Sequence, residues 1–396
     1  MTHAYWNRLS RRRLLANAAG ATSLAVVAPL LGRPAISLAQ TPVGTPPATF
    51  EAVLQAGLAA GMPGVALRVE RGDEVVFDGA AGFASREQQT PAVPTDRFGV
   101  GSVTKTFTAA LVLQPVDADV LALDDTVTRW LADPVVLGIP NVDQITLRQL
   151  LTHTSGIYDV FADDSPFWQD AYFGEGADWA RVWTPQEMLA YADGAKHAPD
   201  AAPGEAVHYS NTAYILLGLI VEQATGHEYA DQLHARILEP LDLADTFYAA
   251  TEPVPGGKAD AYQLIDGELV NVSAVSLSAP GTAGGMVSTT RDLTRFAEAL
   301  FGGELLRPAT LAEMVTFIPS GRPGLEAGMG VFRWDVPSGA LVGNSGDGVG
   351  SAARMYQPVD TDLTLALVAN TSDAETVDAV FAEAVRVALG TEAPAE

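Results

Sequence analysis

Hydrophobic residues recur every three or four positions in several segments of the chain, and this spacing predicts amphipathic helices. The first of these segments carries Phe50, Val53, Leu54 and Leu58 on one face and ends at Gly61. Further helices are predicted after Ser102, from Leu147, over 214–223, over 291–301 and over 374–389. The segment 214–223 is the most apolar of them.

Shorter runs rich in valine, leucine and aromatic residues predict β-strands near both ends of the chain. Residues 65–69 and 75–77 flank Arg71-Gly72-Asp73, an arrangement typical of a β-hairpin. Four more strands are predicted over 331–334, 340–343, 352–356 and 363–368. Strands at both ends with helices between them predict an α/β (α+β) fold: an antiparallel sheet flanked by helices, with a helical lobe inserted at about 145–280.

The terminal elements are predicted to bury one another, so that residues 49–392 form a single domain. A short proline-containing linker is predicted over 40–48, ahead of this domain. The segment 161–183 is rich in aspartate, glycine and aromatic residues, and it is predicted to be a surface loop near a cleft.

The first 39 residues differ in composition from the rest, since they contain five arginines and no acidic residue. Ser10-Arg11-Arg12-Arg13-Leu14-Leu15 is similar to a twin-arginine export signal, and a mild apolar stretch follows it. Ser37-Leu38-Ala39 supplies a small-x-small cleavage pattern. Residues 1–39 are therefore predicted to be a signal peptide of an exported protein. The alternative is an uncleaved anchor, which would be the protein's only link to the membrane.

Charge and cysteine content remove several classes of function. The chain has 23 Lys and Arg against 48 Asp and Glu, a net charge of −25, which argues against nucleic acid as a partner. The absence of cysteine excludes disulfides, thiolate metal sites and cysteine nucleophiles. The six histidines show no metal-ligand spacing, so neither a metal nor another cofactor is predicted.

The first candidate catalytic residues are Ser102 and Lys105. Their spacing is informative because the chain contains only three lysines. Positions i and i+3 of a helix lie on one face, so the lysine amine can reach the serine hydroxyl. Desolvation lowers the pKa of a lysine until its amine can accept the serine proton. Ser102 is therefore a candidate nucleophile and Lys105 its candidate base. His153 is a second candidate base, or a residue that fixes its loop.

Two further motifs supply candidate partners. Tyr209-Ser210-Asn211 precedes the most apolar helix. A phenol there can shuttle a proton, and an amide can orient a substrate, although Ser210 or Asn211 also suits the cap of that helix. Asn344-Ser345-Gly346-Asp347 follows a predicted strand, where small residues let the backbone approach a ligand and an exposed strand edge can pair with a peptide. The alternative for this motif is an ordinary hairpin turn.

The order of these motifs resembles the penicillin-recognising serine hydrolases, which include class C β-lactamases and secreted D-alanyl-D-alanine carboxypeptidases. The resemblance covers about residues 45–390 and implies a β-lactamase/transpeptidase-like fold. The segments that carry it are Phe98–Lys105, Leu150–Gly156, Pro203–Glu205, Tyr209–Asn211, Gly284–Leu293 and the motif at 344–347.

The resemblance also implies roles for individual residues. Ser102 would be acylated, Lys105 and Tyr209 would share proton transfer, and Asn211 would orient the substrate amide. The backbone N–H groups of Ser102 and Asp347 would form the oxyanion hole. The third motif departs from the family, which has lysine or histidine where this chain has Asn344.

Loss of that cation, together with the acid Asp347, disfavours anionic substrates and puts β-lactamase and strict carboxypeptidase activity in doubt. The predicted function is a secreted serine hydrolase that forms an acyl-enzyme on Ser102 with an amide or ester. D-amino-acid peptides of cell-wall origin are the predicted substrates. An esterase and a non-catalytic binding protein on the same fold are the alternatives.

Overall fold

The computed structural model describes residues 49–265 and 267–391. The predicted signal peptide at 1–39 and the predicted linker at 40–48 lie outside the described residues. None of the helices in the described part of the chain is long and apolar enough to cross a membrane.

Thirteen strands account for the β-structure of the described residues. They are β1 (Gly64–Arg71), β2 (Glu74–Ser85), β3 (Thr90–Pro91), β4 (Phe98–Gly99), β5 (Tyr262–Ile265), β6 (Glu268–Asn271), β7 (Val287–Ser288), β8 (Ile318–Arg322), β9 (Leu325–Ala327), β10 (Phe332–Val336), β11 (Gly339–Gly348), β12 (Ser351–Pro358) and β13 (Leu363–Ala369).

Nine of these strands form one antiparallel sheet in the order β3-β2-β1-β13-β12-β11-β10-β9-β8. The predicted hairpin is confirmed as β1 and β2. The last strand, β13, pairs with β1 over Val65↔Ala369 to Arg71↔Leu363, so that the two ends of the described chain share the centre of the sheet. The predicted antiparallel sheet with flanking helices is therefore confirmed.

Twelve α-helices complete the described structure. They are α1 (Phe50–Ala59), α2 (Thr104–Asp117), α3 (Val127–Trp130), α4 (Pro134–Leu137), α5 (Leu147–Leu151), α6 (Pro185–Leu189), α7 (Asn211–Thr225), α8 (Tyr229–Leu233), α9 (Gly281–Gly284), α10 (Thr290–Phe301), α11 (Pro308–Met314) and α12 (Ala374–Leu389).

Side-chain alternation along the central strands creates a hydrophobic core on each face of the sheet. Val65, Leu67 and Val69 of β1 pack with α1 and α12 on one face, whereas Ala66 belongs to the core on the other face. That second core includes Phe107 of α2 and Phe296 of α10, whose rings stack 3.6 Å apart. Helix α2, which follows the candidate nucleophile, contacts both β11 of the sheet and α7, α8 and α9.

Two sequence predictions differ from the structure. The segment 161–183 is not a surface loop, because Phe167, Trp168 and Trp183 are buried and a π-helical turn covers Gln169–Phe173. Its aromatic rings pack edge to face with one another, so they supply their own core despite the surrounding Asp and Gly residues. The strand predicted to end at Gly343 continues to Gly348 as β11, because main-chain pairing with β12 outweighs the low strand propensity of Asn, Ser and Gly.

Candidate active site

The main chain at Ser102 is shaped by the residue before it. Gly101 has φ +49°, a conformation that favours glycine, and a Cβ there would lie 3.0 Å from the backbone nitrogen of Asp347. Gly101–Val103 form a single 3₁₀ turn that runs directly into α2. Ser102 therefore stands at the start of a helix and against the end of β11. Backbone N–H groups at a helix start favour negative charge that develops nearby.

Ser102 lies within hydrogen-bond distance of both predicted partners. The Lys105 Nζ atom is 3.0 Å from the Ser102 Oγ atom. The Tyr209 hydroxyl donates to the same Oγ at 2.6 Å. Although Tyr209 is 107 residues away in the sequence, the fold brings it to the serine. The three residues predicted to be catalytic are thus together in the structure.

Lys105 is fully buried, and this burial is the main reason why its pKa is lowered. Its Nζ donates to Asn211 Oδ1 at 2.7 Å and to the carbonyl oxygen of Ala283 at 2.6 Å. Burial lowers the pKa of Lys105 to about 7, and the nearby Asp159 carboxylate partly opposes this shift. A substantial fraction of the amine is therefore neutral near pH 7, as a general base requires.

The hydrogen-bond partners also fix the direction of proton flow. A neutral amine has two protons and one lone pair. Since Asn211 Oδ1 and the Ala283 carbonyl are acceptors, they take both protons of the neutral Lys105 amine. Its lone pair then faces Ser102 Oγ, which can donate its hydroxyl proton to the lysine. The hydroxyl of Tyr209 donates to Oγ from another direction.

Tyr209 is held in the neutral form by its surroundings. Burial raises the pKa of Tyr209, and the hydrogen bond with Ser102 lowers it by a smaller amount. The Lys105 Nζ atom lies 4.9 Å from the centre of the Tyr209 ring, where an ammonium would stabilise a phenolate formed during proton transfer. Tyr209 is therefore a proton donor in the resting state.

The loop around Tyr209 is fixed by His153 and Ser210. The Ser210 side chain accepts a hydrogen bond from Ala213 N and caps α7, as predicted. His153 is fully buried with φ +58°, and its Nδ1 accepts a hydrogen bond from Ser210 N at 3.1 Å. Burial and the charge of Lys105 lower the pKa of His153 to about 3. His153 is thus a neutral residue that positions the Tyr209 loop.

Asp159 is a site residue that sequence reasoning missed. Both of its carboxylate oxygens accept hydrogen bonds from Asn211 Nδ2, at 3.1 and 3.0 Å, and burial raises its pKa. Asp159 thereby orients Asn211, which turns its Oδ1 towards Lys105. The sequence feature that could have identified Asp159 is an acidic residue within a stretch that is otherwise apolar or small.

Asn344 holds β11 against α2. Its side chain is 2% exposed, and its Nδ2 lies within hydrogen-bond distance of the Ser102 and Gly330 carbonyl oxygens and of Thr106 Oγ1. These protein contacts use the side-chain N–H groups of Asn344. Asn344 therefore helps to position β11 beside Ser102. A direct contact between Asn344 and the substrate stays a prediction.

From Asn344 onwards, β11 is paired with another strand on one side only. Strand β10 pairs with β11 only as far as Phe332↔Gly343, whereas β12 pairs with it to Gly348. Residues 344–348, which contain the predicted Ser345, Gly346 and Asp347, therefore lack a strand partner on the β10 side within the described residues. Such an edge can accept an extended substrate by main-chain hydrogen bonds.

Gly346 is expected to be irreplaceable even by alanine, because it touches the turn that carries Ser102. A Cβ at Gly346 would lie 1.9 Å from the Val100 carbonyl oxygen and 2.9 Å from Ser102 N. We expect Gly346→Ala to cost about 1–3 kcal/mol of unfolding free energy, as overpacking does, and to lower kcat/KM. Thermal unfolding and esterase assays check this. Gly138→Ala is the control, since its nearest contact would be 3.4 Å.

A cleft of about 680 Å³ opens over Ser102. Phe161, Trp168 and Tyr172 form part of its wall. The segment 161–183 therefore does lie beside a cleft, as predicted. Across the described residues, no group of three or more His, Asp or Glu side chains is arranged to hold a metal ion.

The sequence profile of the Beta-lactamase family matches residues 50–389 of the chain. The chain belongs to the Beta-lactamase family. The family comprises serine hydrolases with a shared fold, and the predicted relationship is confirmed. The Ser102–Lys105–Tyr209 cluster remains the predicted location of this chemistry in the chain.

Relatives in this family have different named activities. Penicillin-binding protein 4* of Bacillus subtilis (strain 168) is 26% identical over 343 residues, which are 83% of this chain and 72% of that protein. Esterase EstB of Burkholderia gladioli is 30% identical over 268 residues, which are 62% of this chain and 67% of that protein.

Two solved structures are similar over most of their length. The D-stereospecific amidohydrolase from Streptomyces sp. is 33% identical with a TM-score of 0.73, over 83% of this chain and 96% of that chain. The D-amino acid amidase from Ochrobactrum anthropi SV3, complexed with L-phenylalanine amide, is 27% identical with a TM-score of 0.75, over 86% and 98%.

Proposed function

We propose that this member of the family hydrolyses amides of D-amino acids or D-peptides through an acyl-enzyme on Ser102. The observation that carries the proposal is the cluster of Lys105 Nζ, 3.0 Å, and Tyr209 hydroxyl, 2.6 Å, around Ser102 Oγ. One group is poised to accept the serine proton and the other to donate a proton. Acyl transfer to a hydroxyl nucleophile requires both.

In the proposed reaction, Ser102 Oγ attacks the substrate carbonyl carbon and its proton passes to Lys105 Nζ. The oxyanion is bound by the backbone N–H groups of Ser102 and Asp347. As the carbon–nitrogen bond breaks, Tyr209 donates its proton to the leaving amine and recovers a proton from the Lys105 ammonium. Water then attacks the ester in the reverse sequence of proton transfers and releases the acid.

The choice of D-amino-acid substrates is supported by the site and by the relatives. The free edge of β11 can bind an extended backbone, and the Asn211 amide lies beside the nucleophile. The named activities of the two similar structures, a D-stereospecific amidohydrolase and a D-amino acid amidase, favour D-substrates for this chain as well. We place the natural substrates among small molecules or peptides, including those derived from peptidoglycan.

A panel of substrates tests this proposal. We expect D-phenylalanine amide and a D-alanyl peptide to be hydrolysed at least about tenfold faster than their L-enantiomers, with mass spectrometry showing an acyl adduct on Ser102. Ser102→Ala measures the background rate. Equal rates for both enantiomers would contradict the D-specificity, and a folded enzyme that forms no adduct with any substrate would support a binding protein instead.

An esterase is the second candidate, and Asn344 is the observation that favours it. No cation occupies the first position of the third motif, and the Asn344 side chain is buried against α2. Substrates without a carboxylate, such as simple esters, do not need a cation at this position and are therefore bound no less well without it. Turnover of nitrophenyl butyrate faster than D-phenylalanine amide, with hydrolysis of no D-peptide, would favour this candidate.

We further propose that the protein is exported by the twin-arginine route, with cleavage after Ala39. The arginine cluster and the small-x-small pattern of the first 39 residues support this. Peptide mapping of the protein secreted by an expression host would reveal a mature N-terminus at Gln40, whereas an intact N-terminus in the membrane fraction would indicate the anchor.

A further inference from the structure

Arg354 is a buried cation on the face of the sheet opposite α2. It lies on β12, in register with Ser345, and its side chain is 1% exposed. Its Nη1 donates to Asp347 Oδ1 at 3.0 Å, and its Nε donates to Asp378 Oδ1 of α12 at 2.6 Å. The remaining donors bind main-chain carbonyl oxygens, among them those of Gly346 and Ala374.

The two carboxylates are open to the substrate cleft, whereas Arg354, which also lines the cleft, has a side chain that is almost fully buried. The side chains of Asp347 and Asp378 are 40% and 45% exposed, and both line the cleft over Ser102. Each uses one oxygen for Arg354, and the other oxygen has no partner within the described residues. Two carboxylates therefore share one guanidinium. Burial raises the pKa of Asp378, and the Arg354 guanidinium opposes this shift. With both carboxylates ionised, this face of the cleft carries one negative charge in excess, open to the substrate.

From this arrangement, and on the basis of the proposed function, we propose that Asp378 and Asp347 determine leaving-group specificity. They reject a leaving group that bears a carboxylate and admit one that is an amide or another uncharged group. The substrates are thus carboxamides and esters in preference to peptides with a free carboxyl terminus next to the scissile bond. Arg354 is a positioning residue, because it holds both carboxylates at the end of β11 and is itself screened by them.

One other guanidinium lines the cleft and is the rival determinant. Arg322 lies at the end of β8, in the hairpin with β9, and is exposed. If Arg322 bound a substrate carboxylate, it would reverse the preference. Asn344 offers no compensating charge, because its amide is committed to the backbone and to Thr106.

A matched pair of thioesters tests the inference. N-benzoyl-D-alanyl thioglycolate and its thioglycolamide differ only in a terminal carboxylate, and release of the thiol reports kcat/KM for each. We expect the wild type to prefer the carboxamide by about tenfold or more, as like-charge repulsion requires. Asp378→Asn should reduce this ratio severalfold, because asparagine keeps an oxygen for Arg354 Nε but removes the charge.

Glu375→Gln is the control, since it removes the same charge from an exposed position of α12 outside the cleft lining. It should leave the ratio unchanged. Arg322→Gln tests the rival, and a larger change of the ratio in this variant than in Asp378→Asn would assign the specificity to Arg322 and overturn the inference. The inference is overturned if the wild type prefers the carboxylate, if Asp378→Asn leaves the ratio unaltered, or if an enzyme labelled at Ser102 by a fluorophosphonate hydrolyses neither thioester. Failure of that labelling contradicts the proposed function itself.

Discussion

Ser102→Ala is expected to lower kcat/KM for every amide and ester substrate by about 10⁴-fold or more, the size of effect found when a nucleophile is removed. It should also abolish covalent labelling by a fluorophosphonate. The physical reason is that alanine leaves Lys105 and Tyr209 around a position with no oxygen to attack the substrate. Steady-state assays and intact-protein mass spectrometry measure both effects.

Ser338→Ala is the matched control for this variant. Ser338 lies in the turn between β10 and β11, at the end of β11 opposite to Ser102 and outside the cleft lining. The control should be labelled and should turn over substrate like the wild type. Labelling that persists in Ser102→Ala would show that another residue is the nucleophile and would remove the basis of the proposed mechanism.

The proximity of Ser102 and Lys105 could be predicted from the sequence because short-range geometry determines it. Ser102 and Lys105 are one helical turn apart, so their contact follows once the helix forms. Tyr209 required the order of motifs along the chain, since nothing local brings it across 107 residues. The sheet was also predictable from local sequence, because the nearly continuous apolar runs of β1 and β13 mark strands with a core on both faces.

Contacts made between distant elements were not predictable. Asp378 lies on the last helix and meets Arg354 of β12 only after α12 packs on the sheet. Neither residue belongs to a motif that would distinguish it from an ordinary surface charge. The burial of Asn344 was not predictable either, because the partners of its amide, at Ser102, Thr106 and Gly330, come from elements distant in the sequence.

The segment 161–183 shows how composition misleads when aromatic residues cluster. Its Asp and Gly content is typical of surface loops, but Phe167, Trp168 and Tyr172 bury one another in edge-to-face contacts. Apolar burial outweighs the loop-like composition, and the segment becomes a wall of the cleft. Cooperative packing of several rings cannot be inferred from a single-residue propensity.

Lys105→Met is expected to lower kcat/KM by about 10³-fold, within the range for loss of a general base. Methionine has a similar length and an apolar end, so it suits the buried position without an amine to desolvate. Lys196→Met is the control, because Lys196 is exposed and, among the residues that the structure describes, its amine donates only to the Ala190 carbonyl oxygen. Circular dichroism of both variants separates a catalytic loss from unfolding. A control with the same loss would contradict the role of Lys105.

The pH dependence of the wild type distinguishes a neutral base from a permanent cation at Lys105. Since burial lowers the pKa of Lys105 to about 7, the amine is an ammonium below this pH and a base above it. The value of kcat/KM should therefore rise with pH, about tenfold per unit below pH 7, and become level above about pH 8. In Lys105→Met the residual activity should lack this rise. A rise that persists in the variant would assign it to another group, and activity that falls as pH increases through 7 would mean that the ammonium form is the active one.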